Sequence, residues 1–146
     1  MQNTHTPGQE YPLPRNQEQF ERALMGAFAR KYPAWGELLM DQFQKAIVTD
    51  RYGSGTGCFT HFAVSDRAEV LPENCKSPIE GPNFRVKGVA LLDSPHEAGG
   101  PAGSLLFIED RKISMLECHA WTEGWPTDEY DFEISDDIEV SQVGAM

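Results

Sequence analysis

Glu117, His119 and Trp121 stand at alternate positions in an apolar run, so on an extended chain their side chains project to one side. A carboxylate beside an imidazole and an apolar wall is the raw material of an acid–base pair. The run supplies no nucleophile, however: it holds no Gly-x-Ser-x-Gly turn and no third residue placed to complete a relay. Glu117 is equally well satisfied by a backbone or arginine partner, and His119 by a place at a sheet margin. Cys58 with His61, and Cys118 next to His119, carry zinc-ligand chemistry. Structural zinc sites draw on two close pairs of Cys or His, and that pattern is missing here. Cys58 and His61 also point to opposite faces if their segment is a strand. Asp93, His96 and Glu97 cluster in a stretch rich in Gly and Pro, where solvated loops are the rule. Gly53, Gly55 and Gly57 are followed by no Lys-Ser or Lys-Thr and no helix start, so they do not form a phosphate cradle. The expectation is a binding protein, not an enzyme, with no catalytic residue, no metal and no cofactor.

The elements that must position these residues fall into two halves. Residues 1–15, with Pro7, Gly8, Pro12 and Pro14, read as a flexible leader, and residues 16–146 as a single α+β domain. Asn16 is placed as an N-cap with Gln19 in the capping-box position. Phe20, Ala23, Leu24, Ala27 and Phe28 then recur at helical spacing, which predicts a helix from about Gln17 to Arg30. Pro33 suits the first turn of a second helix, whose stripe is Trp35, Leu38, Leu39, Phe43 and Ala46. After Ile47 the pattern is strand and loop: strands over Ile47–Tyr52, Cys58–Val64 and Phe84–Leu92, and a loop over Asp93–Gly103. Ser104 to Cys118 reads as a hairpin turning at Asp110-Arg111. Alternation puts Leu106, Ile108, Ile113, Met115, Glu117, His119 and Trp121 on one face and Leu105, Phe107, Leu116, Cys118 and Ala120 on the other. Both faces are apolar, as in central strands. Two N-terminal helices packed on a mostly antiparallel sheet are therefore expected. Phe132, Ile134, Ile138 and Val140 allow the C-terminal segment to dock as an edge strand with its carboxylates in water.

Charge says most about partners. The chain of 146 residues has 12 basic and 23 acidic residues, a net charge of −11. No Lys or Arg follows Lys112, and nine of the acids do; subtracting them from 23 leaves 14 against the 12 bases, or −2 for residues 1–112. A field of this sign repels nucleic acid and anionic membrane and attracts basic proteins. No run reaches the roughly 18 apolar residues of a membrane helix, and the polar N-terminus lacks a signal-peptide core. Three cysteines, an odd number, fit reduced thiols in a cytoplasm better than a disulfide framework. Trp121, Trp125 and Tyr130 lie among Glu123, Asp128, Glu129, Asp131, Asp136 and Asp137. Aromatic anchors ringed by like charge are what a steered protein interface requires, and these nine residues are the expected partner-binding set.

From Leu106-Phe107-Ile108-Glu109-Asp110, through Ile113 to Glu117, to Trp125-Pro126, the chain resembles small bacterial α+β proteins with a helical N-terminal half. Those proteins carry a phenylalanine, an aspartate-glycine turn, a leucine-glutamate pair and a tryptophan-proline pair, and the likeness spans roughly residues 30–135. Some sit beside toxin genes as suspected immunity proteins. Arg111 departs from the pattern, standing where a glycine would relieve a positive φ. The resemblance implies a cytoplasmic immunity-type inhibitor that neutralises a basic partner such as a nuclease toxin. The alternatives are a small-ligand or enzymatic pocket near Glu117, His119 and Trp121, or a homo-oligomeric structural protein, for instance a homodimer.

Overall fold

The computed structural model describes residues 13–72, 82–93, 99–121 and 124–142. Two helices, α1 (Gln17–Lys31) and α2 (Pro33–Lys45), precede seven strands: β1 (Ile47–Gly53), β2 (Gly57–Ala63), β3 (Phe84–Asp93), β4 (Gly99–Glu109), β5 (Lys112–Ala120), β6 (Asp131–Ile134) and β7 (Glu139–Gln142). They form one antiparallel sheet in the order β1-β2-β5-β4-β3-β6, with β7 also paired to β3. The architecture is α+β, with the helices packed on one face of the sheet. Most of residues 1–15 lie outside the described residues. At the end of that segment, Leu13 packs on the core and Pro14 is buried, so the chain is already docked before the helix begins.

Pro33 opens α2 with a fixed φ and no missing hydrogen bond. Asn16 does not cap α1 through its side chain. Its Nδ2 donates instead to the carbonyl of Tyr130 at 2.7 Å, joining the helix start to the C-terminal segment. The two helices meet closely at Gly36, where a Cβ would stand 2.3 Å from the carbonyl oxygen of Ala29. Phe20, Leu24 and Phe28 of α1 and Trp35 and Leu39 of α2 are fully buried against Val86, Leu106, Ile108 and Leu116. Each such side chain contributes about 1.5–3 kcal/mol by leaving water.

The β4–β5 hairpin turns at Asp110 and Arg111, with φ of 53° and 61°, as a two-residue turn whose twist suits the strands. Its alternation is not the simple one expected. Ile108 pairs with Ile113 but Phe107 pairs with Met115, so Ser114 is an extra residue. This bulge reverses the facing of everything beyond it. Ile113, Leu116 and Cys118 therefore join Leu106 and Ile108 under the helices. Met115, Glu117 and His119 share the opposite face with Leu105 and Phe107. The expected loop at 93–103 is also shorter, since Gly99–Gly103 extend β4 opposite Val89–Asp93.

One helix residue holds this hairpin in place. Gln42 is fully buried; its Nε2 donates to the carbonyls of Glu69 and Arg111, both at 3.0 Å, and its Oε1 accepts from Ile113 N–H at 2.9 Å. Replacing it by an apolar residue of similar volume should leave these groups unpaired in the core. Gln42→Leu is expected to cost about 1–3 kcal/mol in denaturant unfolding despite its greater hydrophobicity; an unchanged midpoint would contradict this role.

Candidate functional site

The acidic residues gather where β6 and β7 close the sheet. Both strands pair with the same edge of β3, β6 along Ala90–Asp93 and β7 along Phe84–Lys87, so they act as one edge strand with an interruption. Phe132, Ile134 and Val140 pack towards the core and Ile138 is buried within it. Alternation then turns the polar residues outward. Asp128, Glu129, Asp131, Glu133, Asp136, Asp137 and Glu139 are all exposed. Between the two strands the chain steps away from the sheet. Ser135 N–H still reaches the carbonyl of Val89 at 2.9 Å, and Ser135 Oγ accepts from Asp137 N–H at 3.0 Å.

At this step the surface forms a groove of about 580 Å³. Val89, Leu91 and Pro101 give it an apolar side, and Glu133, Ser135 and Asp136 a polar one. Leu91 is 54% exposed and stands in register with Glu133, so apolar surface and carboxylate are immediate neighbours. A second cleft, of about 480 Å³, lies at the far end of the same edge and is lined by Asn16, Gln19, Asp93, Glu129, Tyr130 and Asp131. Arg15 reaches Glu129 at 2.7 Å there, but both groups are largely in water, where such a pair contributes about 0–1 kcal/mol. Among the described residues no three His, Cys, Asp or Glu side chains converge in a way that could hold a metal ion.

The expected aromatic anchors divide sharply. Trp121 is 53% exposed, and its Nε1 donates to His119 Nε2 at 3.1 Å. Trp125 and Tyr130 are each only 4% exposed and cannot present their rings to a partner. They pack around Phe20, with centroids 5.6 and 6.0 Å away, and clamp the C-terminal segment onto α1. Glu123, His96, Glu97 and Cys75 lie outside the described residues. Cys58 and His61 occupy opposite faces of β2, and Cys58 is in register with Cys118 under the helices. Glu117 and His119 share the far face of β5, where Glu117 lines a recess with Tyr52, Phe59 and His61, and His119 accepts its hydrogen bond from Trp121.

Beneath the helices lies a polar cluster that sequence pattern does not disclose. Glu21, wholly buried, accepts from Arg51 Nη2 at 2.7 Å and Nε at 3.2 Å, from Thr60 Oγ1 at 2.7 Å and from Gln17 Nε2 at 3.3 Å. Gln17 Oε1 accepts in turn from Trp125 Nε1 at 3.0 Å and Tyr130 O–H at 3.3 Å, while its Nε2 also reaches Cys58 Sγ at 3.2 Å. Burial works against the Arg51 charge, but the hydrogen bond and charge of Glu21 outweigh it and raise its pKa. The Cys118 thiol is pushed well above its ordinary value, first by the hydrogen bond it shares with Cys58 and then by burial. Burial also pushes the Tyr130 phenol well up. A spacing of i and i+4 puts Gln17 and Glu21 on one face of α1, and that face, otherwise apolar, was the available signal.

Compared with known family models, curated proteins and solved structures, the chain matches none. The functional reading accordingly rests on its own geometry.

Two outcomes follow from the buried cluster. Arg51→Met strands the Glu21 carboxylate and should cost about 3–5 kcal/mol, whereas adding Glu21→Leu to it should recover much of the loss; a double-mutant cycle by chemical denaturation measures both. The second concerns alkaline pH. The folded chain keeps protons on Cys118 and Tyr130 that the unfolded chain gives up near pH ~8.5 and ~10. Their contribution is whole below pH ~8.5 and fades as pH rises further, so the unfolding midpoint should fall above pH ~9 and Cys118→Ala should flatten that fall.

Proposed function

We propose that this chain is a non-catalytic, cytoplasmic binding protein of the immunity type, which neutralises a basic protein partner, such as a nuclease toxin, by covering its cationic site. The observation that carries the reading is the β6–β7 edge: seven exposed carboxylates between Asp128 and Glu139 with no Lys or Arg among them, bordering a half-apolar groove. A lysine or arginine of the partner fits that groove, its methylene stem on Leu91 and Pro101 and its charged head towards Glu133 and Asp136. The surrounding charges speed encounter and reject acidic surfaces. Trp121 supplies the exposed ring of the expected set, and Asp128, Glu129, Asp131, Asp136 and Asp137 its charge. Trp125 and Tyr130 serve by fixing the edge in place.

Affinity capture from the native host's lysate at low salt, eluted by high salt and identified by mass spectrometry, should recover one basic protein. Reversing Asp128, Glu129, Asp131 and Asp136 to lysine should slow association with it by roughly tenfold or more at low salt, and salt should mimic the reversal. Co-expression should relieve whatever growth inhibition the partner causes. Unchanged affinity after the reversal would remove this edge as the interface.

A further inference from the structure

Both helices pack on one face of the sheet, and the other face presents its side chains in levels across β5, β4 and β3. At the middle level Glu117, Leu105 and Lys87 lie side by side. Towards the hairpin turn the next level centres on Phe107. At the opposite end Trp121 N–H donates to the carbonyl of Pro101 at 3.0 Å, and Pro101 is in register with Leu91, so Trp121 and Leu91 flank it. The Trp121 ring lies on this face, since a Cβ on Gly103 would stand 2.9 Å from its Nε1. Trp121 is 53% exposed and Leu91 54%. Neither Lys87, exposed, nor Glu117, half-buried, makes a hydrogen bond or ion pair with a described residue.

We infer that two copies of this chain dock on one another by this face, sheet on sheet, about a two-fold axis running along β4. The face is complementary to itself about that line. A half-turn keeps each level in place and exchanges β5 with β3. Lys87 then stands over Glu117 of the second copy and Glu117 over its Lys87, so two charges without partners are matched twice. The same half-turn sets Leu91 on Trp121 of the second copy, pairing two apolar side chains that are more than half exposed. Leu105 and Phe107, on the axis, meet their own counterparts. A two-fold across the strands at the middle level would instead stack Glu117 on Glu117 and Lys87 on Lys87, which like charge forbids. Packed sheets lie ~10 Å apart with strands within about 30° of one another, as an axis along a strand requires. Five strands wide and nine residues long, the face measures about 700 Å², close to the ~800 Å² that each partner of a stable complex buries. A second copy seated here covers Leu91 and Trp121, so it and a basic partner exclude each other.

Analytical ultracentrifugation of the full chain from about 1 to 200 μM tests this. A reversible dimer of twice the 16.3 kDa chain mass is expected. Lys87→Glu and Glu117→Lys each set like charges face to face and should weaken it roughly tenfold or more. An equimolar mixture of these two variants should dimerise roughly tenfold more tightly than either alone, because the mixed pair restores both contacts. Loss of folding cannot produce that recovery. Leu91→Ser, at a site open to water in the single chain, should also weaken the dimer while the chain stays folded. Should either charge variant not fold, the unaltered chain and Leu91→Ser decide. A monomer throughout, a dimer indifferent to all three substitutions, or a mixture no tighter than its components would each overturn the inference, whether or not the acidic edge binds a basic protein.

Discussion

The carboxylate of Glu21 is the constraint on which the rest of the molecule depends. Taking a charge wholly out of water costs several kcal/mol unless opposing charge and donors surround it. Arg51 on β1, Thr60 on β2 and Gln17 one turn earlier on α1 meet that requirement together. Their geometry thereby fixes how α1 lies on the first two strands. Gln17 passes the constraint on through Trp125 and Tyr130, so the C-terminal segment is held by the same cluster. Turning α1 about its axis would carry the Glu21 carboxylate away from Arg51 and Thr60 and leave it buried without them, a cost that apolar contacts alone do not impose.

That dependence gives the aromatic and acidic residues of the last quarter different tasks. They are interleaved in sequence, but the fold separates them by depth. Trp125, Tyr130 and Phe132 gather round Phe20, and the carboxylates between them are left in solvent. The buried rings hold a strongly charged segment to the sheet, because apolar burial near Phe20 offsets the repulsion among the segment's own carboxylates outside.

Much of the architecture was legible from periodicity. The helical stripe from Phe20 to Phe28, the proline opening α2 and the turn at Asp110-Arg111 each follow from local rules that tertiary contacts leave intact. Docking of the C-terminal segment as an edge strand was readable from Phe132, Ile134 and Val140 for the same reason. The bulge at Ser114 was not, because a single inserted residue has no compositional mark and yet reverses Met115, Glu117 and His119. Of the candidate site, the charge was visible and the depth was not: nothing local distinguishes Trp121, in water, from Trp125, in the core. Asn16 has the side chain of a helix cap, and only the fold brings the carbonyl of Tyr130 within its reach. The recess on the far face was equally hidden, since Tyr52, Phe59, Glu117 and Phe107 are neighbours only through strand register.

The division of the outer edge between two four-residue strands also governs how the protein behaves when concentrated. An exposed strand edge is a template on which another chain can add by backbone pairing, and long flat edges propagate into fibrils. Here neither short strand offers an unbroken row of donors and acceptors, the step at Ser135–Ile138 sets the row out of line, and an approaching copy brings the same negative charge. The opposite edge, where Ile47 and Val48 are exposed, is disrupted by the irregular register between Val48 and Asp50. Colloidal stability is thus written into both margins of the sheet, by charge and interruption at one and by a local twist at the other.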